Sequence, residues 1–223
     1  MIEQFSTLVP EVLRNVSGSV FYSGRAAFAG SSKVYVLGAN PGGDPIRQRE
    51  ETVQSHMDFA MKAAPELWSA YCDESWTGRP VGRAALQCRV QHLLSRLGLD
   101  PRLVPASNLV FSRSRRLENL DGDYGKLADL CWPFHAAVIK SLRPKGIICF
   151  GADASRQVAS RVGATKCIGQ FRETYPNRSW TNRIWKSSSG LLVFELTHPS
   201  SADWTSPYAD PSPMVKAALE AFQ

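Results

Sequence analysis

Two short segments of this 223-residue chain hold polar residues where they could do chemistry. Gly38-Ala39-Asn40-Pro41-Gly42-Gly43-Asp44-Pro45 leaves an apolar run and turns sharply, and its glycines let backbone N–H groups approach a ligand or line an anion-binding nest. Taken alone, the same residues are good strand-to-helix turn chemistry. Thr197-His198-Pro199-Ser200-Ser201 closes a second apolar run in the same manner, and of the four histidines only His198 stands at such a strand end. Its imidazole is suited to hydrogen bonding, in the turn itself or toward a ligand. His56, His92 and His135 fall in helical patterns and read as structural. The five cysteines, Cys72, Cys88, Cys131, Cys149 and Cys167, never form C-x-x-C, which excludes the usual zinc and iron–sulfur spacings. Cys149, inside Ile147-Ile148-Cys149-Phe150, reads as a small buried hydrophobe. There is no G-x-x-x-x-G-K-[ST] and no metal–carboxylate cluster, which argues against a nucleotide-phosphate hydrolase.

Both loops need elements to position them. Four apolar runs have strand character: Lys33 to Gly38, Ser107 to Phe111, Gly146 to Phe150 and Leu191 to Leu196. Helices are expected over Ile2 to Val16, Arg47 to Ala64, Arg83 to Leu97, Lys126 to Leu142, Ala152 to Val162 and Pro213 to Phe222, with Pro133 as a possible kink in the fourth. Strands alternating with helices imply a three-layer α/β/α domain with a central, largely parallel four-stranded sheet. In such sheets ligands bind beyond the carboxyl ends of the strands, and both loops, with Ser112-Arg113-Ser114 and Gly151, fall there.

Composition is ordinary for one globular unit, read as a single domain over residues 1–223: 43% hydrophobic and 21% charged residues leave no case for disorder or low complexity. The net charge of +6 and pI near 9.2 favour an anionic partner without identifying one. No apolar run approaches the roughly 18 residues that span a bilayer, and Met1-Ile2-Glu3-Gln4 open no basic region followed by an apolar stretch, so no targeting segment is expected. An intracellular protein is expected, cytoplasmic or nucleoid-associated in a bacterium and nuclear in a eukaryote.

Gly38-Ala39-Asn40-Pro41-Gly42-Gly43 together with Thr197-His198-Pro199-Ser200-Ser201 resembles the two signature motifs of the uracil-DNA glycosylase superfamily. The first is most similar to the G-x-N-P-G form of the mismatch-specific and single-strand-selective branches, with Asn where other branches have Asp. The second resembles the His-Pro-Ser of the single-strand-selective and major uracil-excising branches. Ala106 to Phe111 and Phe150 to Ala154 are similar to the superfamily's middle elements, in the right order, so the resemblance spans Lys33 to Trp204. It implies a monofunctional DNA glycosylase of base excision repair. Such an enzyme would act as a monomer on uracil or a related deaminated base in DNA, without metal or cofactor. Asn40 would hold the attacking water and a neutral His198 would hydrogen-bond the departing base. Asn108, with Gly38, Ala39, Pro41 and Gly42, would contact the base flipped from the stack. The stacking aromatic is left open between Tyr71 and Trp76, while Phe111 reads as core.

DNA contacts are expected from Arg113, Arg115 and Arg116, with Ser112 and Ser114 as hydroxyl donors, and from Ser200, Ser201 and Trp204. Trp204 reads equally as an inserting wedge, in a loop with an unusual Asp203, or as a buried anchor. The aromatic and basic stretch Thr165 to Ser189 reads as a twisted hairpin covering the sheet or as a base-stacking surface. A catalytically idle protein of the same fold, binding nucleic acid or protein, is the alternative function.

Overall fold

The computed structural model describes residues 2–175 and 178–221. Its strands are β1 (Val34–Gly38), β2 (Ala106–Asn108), β3 (Gly146–Phe150), β4 (Ala164–Arg172), β5 (Thr181–Ser187) and β6 (Leu192–Leu196). The helices are α1 (Ile2–Ser6), α2 (Glu11–Arg14), α3 (Val53–Asp58), α4 (Ala70–Asp73), α5 (Ala85–Arg96), α6 (Tyr124–Leu142), α7 (Ala152–Val162) and α8 (Ser212–Ala221). No helix among the described residues is long and apolar enough to cross a membrane.

One mixed sheet runs in the order β2-β1-β3-β6-β5-β4. The β1–β2, β1–β3 and β3–β6 pairs are parallel, whereas β5 runs antiparallel to both β6 and β4. The sheet therefore has six strands, not four. The additional pair is half-exposed and carries Lys166, Arg172, Arg183 and Lys186, so it lacks the continuous apolar run that marks a strand buried on both faces. Charges along β4 also suit an edge strand, where they discourage pairing with another chain.

Alternation along the central strands divides the core in two. Tyr35, Leu37, Ile147, Cys149 and Val193 face a cluster with Phe5, Val53, Phe134, Val138 and Val158. Val34, Val36, Ile148, Phe150 and Phe194 face the opposite side with Val90, Leu93 and Leu94 of α5, Val215 of α8 and Trp204. Helices thus cover both faces of the sheet.

Three element boundaries differ from expectation for local reasons. Pro10 divides the expected first helix into α1 and α2, since its ring nitrogen has no hydrogen to donate. The second helix begins only at Val53, where Thr52 accepts from the Ser55 N–H at 3.0 Å, and ends in a π-turn over Phe59–Ala63. Strand β2 stops at Asn108, and Leu109, Val110 and Phe111 continue as fully buried core outside the ladder. Helix α6 runs through Pro133, and the expected end of the last helix at Phe222 lies outside the described residues.

His135 is a core residue. The Tyr35 hydroxyl donates to its Nδ1 at 2.9 Å and its Nε2–H donates to the Leu109 carbonyl at 3.1 Å. Burial holds its pKa down at about 3, against 6.5 for an ordinary histidine. Between those values the unfolded chain binds the proton and the folded one does not, so stability must fall as pH falls. His135 alone should cost about 2 kcal/mol by pH 5. Half-buried His56, its pKa pushed down to about 4, adds in the same direction. Urea midpoints should drop steadily from pH 7 to pH 5, with a shallower drop in His135→Asn; a pH-independent midpoint would contradict this.

Candidate active site

The first loop emerges from β1 beside the end of β2. Gly38 is in register with Asn108, and a Cβ on Gly38 would collide with the Asn108 side-chain oxygen, so only glycine lets that amide lie across the strand end. Asn108 is itself buried. Two residues on, the Asn40 Nδ2 donates to Ser114 Oγ at 2.8 Å and to the Pro41 carbonyl at 3.0 Å, with the Ser112 carbonyl at 3.5 Å. The Ser114 hydroxyl donates to the Arg116 carbonyl at 2.7 Å, so toward Asn40 it acts as acceptor. Acceptors on this side require the NH2 group there and leave Oδ1 as the free end.

Arg113 braces the same loop. Its Nη1 donates to the Gly42 carbonyl at 2.7 Å, Nε to Ser17 Oγ at 3.1 Å and Nη2 to Glu51 at 2.9 Å, and its side chain is only 10% exposed. The expected phosphate contact from Arg113 is therefore corrected, because each of its nitrogens is spent inside the protein. Ser114, 1% exposed, is likewise closed to phosphate, and the Ser112 hydroxyl is buried. Gly43 stands at φ +119°, where a side chain would also strike Gln48. Arg115 pairs with Asp44, whose carboxyl it holds below the usual range, yet Arg115 and Arg116 remain 65% and 77% exposed.

The second loop leaves β6 and is tied at four points. The Thr197 N–H donates to Asn182 Oδ1 at 2.7 Å, and the Trp204 indole donates to the Thr197 carbonyl at 3.1 Å. Arg89 donates to the Pro199 carbonyl at 2.6 Å, and Arg178 to that of Ser201 at 2.9 Å. Trp204 is fully buried against Phe150, so it is the anchor of its two readings and cannot insert into a base stack. Asp203, bonded to Arg89 and Thr205, closes the turn. Ser200 and Ser201 are exposed beside it.

His198 has its proton placed by this turn. The Ser200 N–H donates to Nδ1 at 3.1 Å, and the Ser200 hydroxyl lies 2.7 Å from the same nitrogen. A ring nitrogen that accepts cannot carry hydrogen, so the neutral ring bears its proton on Nε2. Burial lowers the pKa from its ordinary value, favouring that neutral form.

Phe150 joins the two loops. Its ring lies near the Cβ position of Gly38, 6.2 Å from the His198 ring and perpendicular to it, and Tyr71 packs on its edge at 6.4 Å. Tyr22 and Trp76 complete the cluster within 6.2 Å of Tyr71 and of each other, and the Trp76 indole donates to Glu74 at 2.6 Å. Tyr71 and Trp76 thus occupy one aromatic wall. Phe150 could have been found as the last residue of a buried strand, whereas Tyr22 lies in no regular element and carries no such signal. His56 sits 6.1 Å from Tyr22 with Nδ1 buried and without a partner among the described residues.

Other candidates serve the fold. His92 pairs with Asp210, and in the hairpin Arg183 and the Trp185 indole both bond Glu195. Arg178 lies 4.2 Å from both the Tyr175 and Trp180 rings, so this stretch mainly covers and braces the sheet. Among the described residues no group of three or more His, Cys, Asp or Glu could hold a metal. No protein-family model and no curated protein matches the chain.

The arrangement predicts that 15N-detected titration will find His198 with hydrogen on Nε2, none on Nδ1 and a pKa below 6.5. An Nδ1–H ring, or titration above 6.5, would contradict it.

Proposed function

We propose that this chain is a monofunctional DNA glycosylase that hydrolyses the N-glycosidic bond of uracil or a related deaminated base. What supports this reading is that parallel β1, β3 and β6 end at one edge, after which come Asn40, with its amide oxygen left free, and His198, with its proton on Nε2, while Phe150 lies near Gly38 and His198. Breaking the bond leaves positive charge on the sugar and negative charge on the base. Asn40 Oδ1 accepts a hydrogen bond from a water whose lone pair is aimed at the anomeric carbon; as the C–N bond breaks and the C–O bond forms, the water's surplus proton passes to solvent and the departing base anion takes one up. His198 Nε2–H donates to the base oxygen on which charge accumulates. An amide is no strong base, so fixed geometry and electrostatics in a dry pocket must supply the rate. Asn108 faces the base edge in this reading, with the Tyr71 and Phe150 rings as its apolar wall.

A base can reach this sheet edge only after leaving the stack, at a cost of about a few kcal/mol. The exposed Arg115 and Arg116, with Ser200 and Ser201, are suited to grip the backbone around it. A DNA repair enzyme would act inside the cell.

Oligonucleotides containing uracil, hypoxanthine or xanthine, single-stranded and mispaired, test the proposal. Wild type should leave alkali-labile sites on at least one, and Asn40→Ala and His198→Ala should each lower the rate by about a hundredfold or more. Absence of cleavage on every substrate would sink the assignment. Binding should weaken steeply with salt, and Arg116→Ala should reduce the logarithmic salt slope by about one, with little dependence on sequence. An unchanged slope would remove Arg116 from the DNA contact.

A further inference from the structure

Asn40 does not hold its own orientation. The two ends of a side-chain amide are nearly the same size, and a half-turn of the group exchanges them. The exchange would matter to the chemistry. A water that donates a hydrogen bond to Oδ1 keeps both lone pairs and becomes more electron-rich, whereas a water that accepts from Nδ2 commits one of its two lone pairs and becomes a poorer nucleophile.

Three acceptors face Nδ2, and they differ in character. The Ser112 carbonyl is at 3.5 Å, the edge of hydrogen-bonding range. The Pro41 carbonyl, at 3.0 Å, is shared with the Ser114 N–H at 3.1 Å. Ser114 Oγ makes the shortest contact, 2.8 Å, and its own hydrogen is committed to the Arg116 carbonyl at 2.7 Å. With Ser114 only 1% exposed, water has no easy access to replace either bond. The hydroxyl can turn its hydrogen toward Asn40 only by giving up its 2.7 Å bond to the Arg116 carbonyl, which also accepts from the Asn119 N–H at 2.9 Å.

We infer that Ser114 is a positioning residue for the reaction: clamped by the Arg116 carbonyl, it fixes the Asn40 amide with Oδ1 toward the nucleophilic water. The inference rests on the glycosylase reading and deepens it. It also links catalysis to the DNA-facing segment, since the carbonyl that clamps Ser114 belongs to Arg116, whose side chain is 77% exposed at the same edge.

Kinetics of Ser114→Ala on the preferred oligonucleotide test this. The expected result is a kcat lower by about tenfold or more, the effect of one fixed hydrogen bond worth about 1.4 kcal/mol in the transition state, with KM within about twofold of wild type. In the Asn40→Ala background the same substitution should cause no further loss, because Ser114 acts only through Asn40. The side-chain amide protons of Asn40 should exchange slowly with solvent in wild type and faster in Ser114→Ala, a readout that needs no turnover. A wild-type kcat in Ser114→Ala, a loss that adds in full to that of Asn40→Ala, or a fast-exchanging Asn40 amide in wild type would overturn the positioning role. An inactive wild type with a slowly exchanging Asn40 amide would instead refute the glycosylase reading, and the catalytic role of Ser114 with it.

Discussion

Parallel hydrogen bonding of β1, β3 and β6 is the constraint on which the site depends. Parallel strands end at one edge, so Asn40 and His198, separated by more than half of the chain, leave the sheet on the same side. Register then sets finer spacing. Gly38 pairs with Asn108 on one side of β1, and Phe150 pairs with Leu196 between the two loops. Burial of the strands on both faces makes this arrangement stiff, since a slip of one residue would exchange the two cores.

Basic residues contribute to the site in an unexpected way. A net charge of +6 suggests a surface seeking an anion, yet Arg89, Arg113 and Arg178 direct their guanidinium groups at the carbonyls of Pro199, Gly42 and Ser201. Three cations thus hold the two loops that carry the candidate chemistry. Bonds of this kind, from a charged donor to a partly buried carbonyl, are stronger than neutral ones and fix loops that have no ladder of their own. At the same edge Arg115 and Arg116 stay exposed, each beside a carboxylate, Asp44 and Glu118.

What was legible in the sequence followed from strong local signals. β3 and α7 occupy the expected residues because an uninterrupted apolar run precedes Gly151 and an amphipathic helix follows it. The two loops were legible as well, since Gly-rich and His-bearing strand ends stand out from the runs they terminate. The β4–β5 pair was legible as a hairpin within Thr165 to Ser189, but its half-exposure, which mixes Lys and Arg with Ile184 and Trp185, hid that it extends the central sheet. Long-range geometry left no local trace. Nothing near Trp204 says that its indole closes on Thr197, nothing near Ser114 says that it meets Asn40, and Tyr22 joins the aromatic wall from a segment without regular structure.

Release of a free base is the most direct test of the account. Single-turnover incubation of excess protein with a uracil-containing oligonucleotide, followed by mass spectrometry, should show strand mass falling by one uracil and rising by one water, with free uracil appearing in step. The Asn40→Ala protein should bind the same strand and leave its mass unchanged over that time. An intact strand with wild type, on uracil and on the other deaminated bases, would contradict the central claim that this sheet edge is built to cleave an N-glycosidic bond.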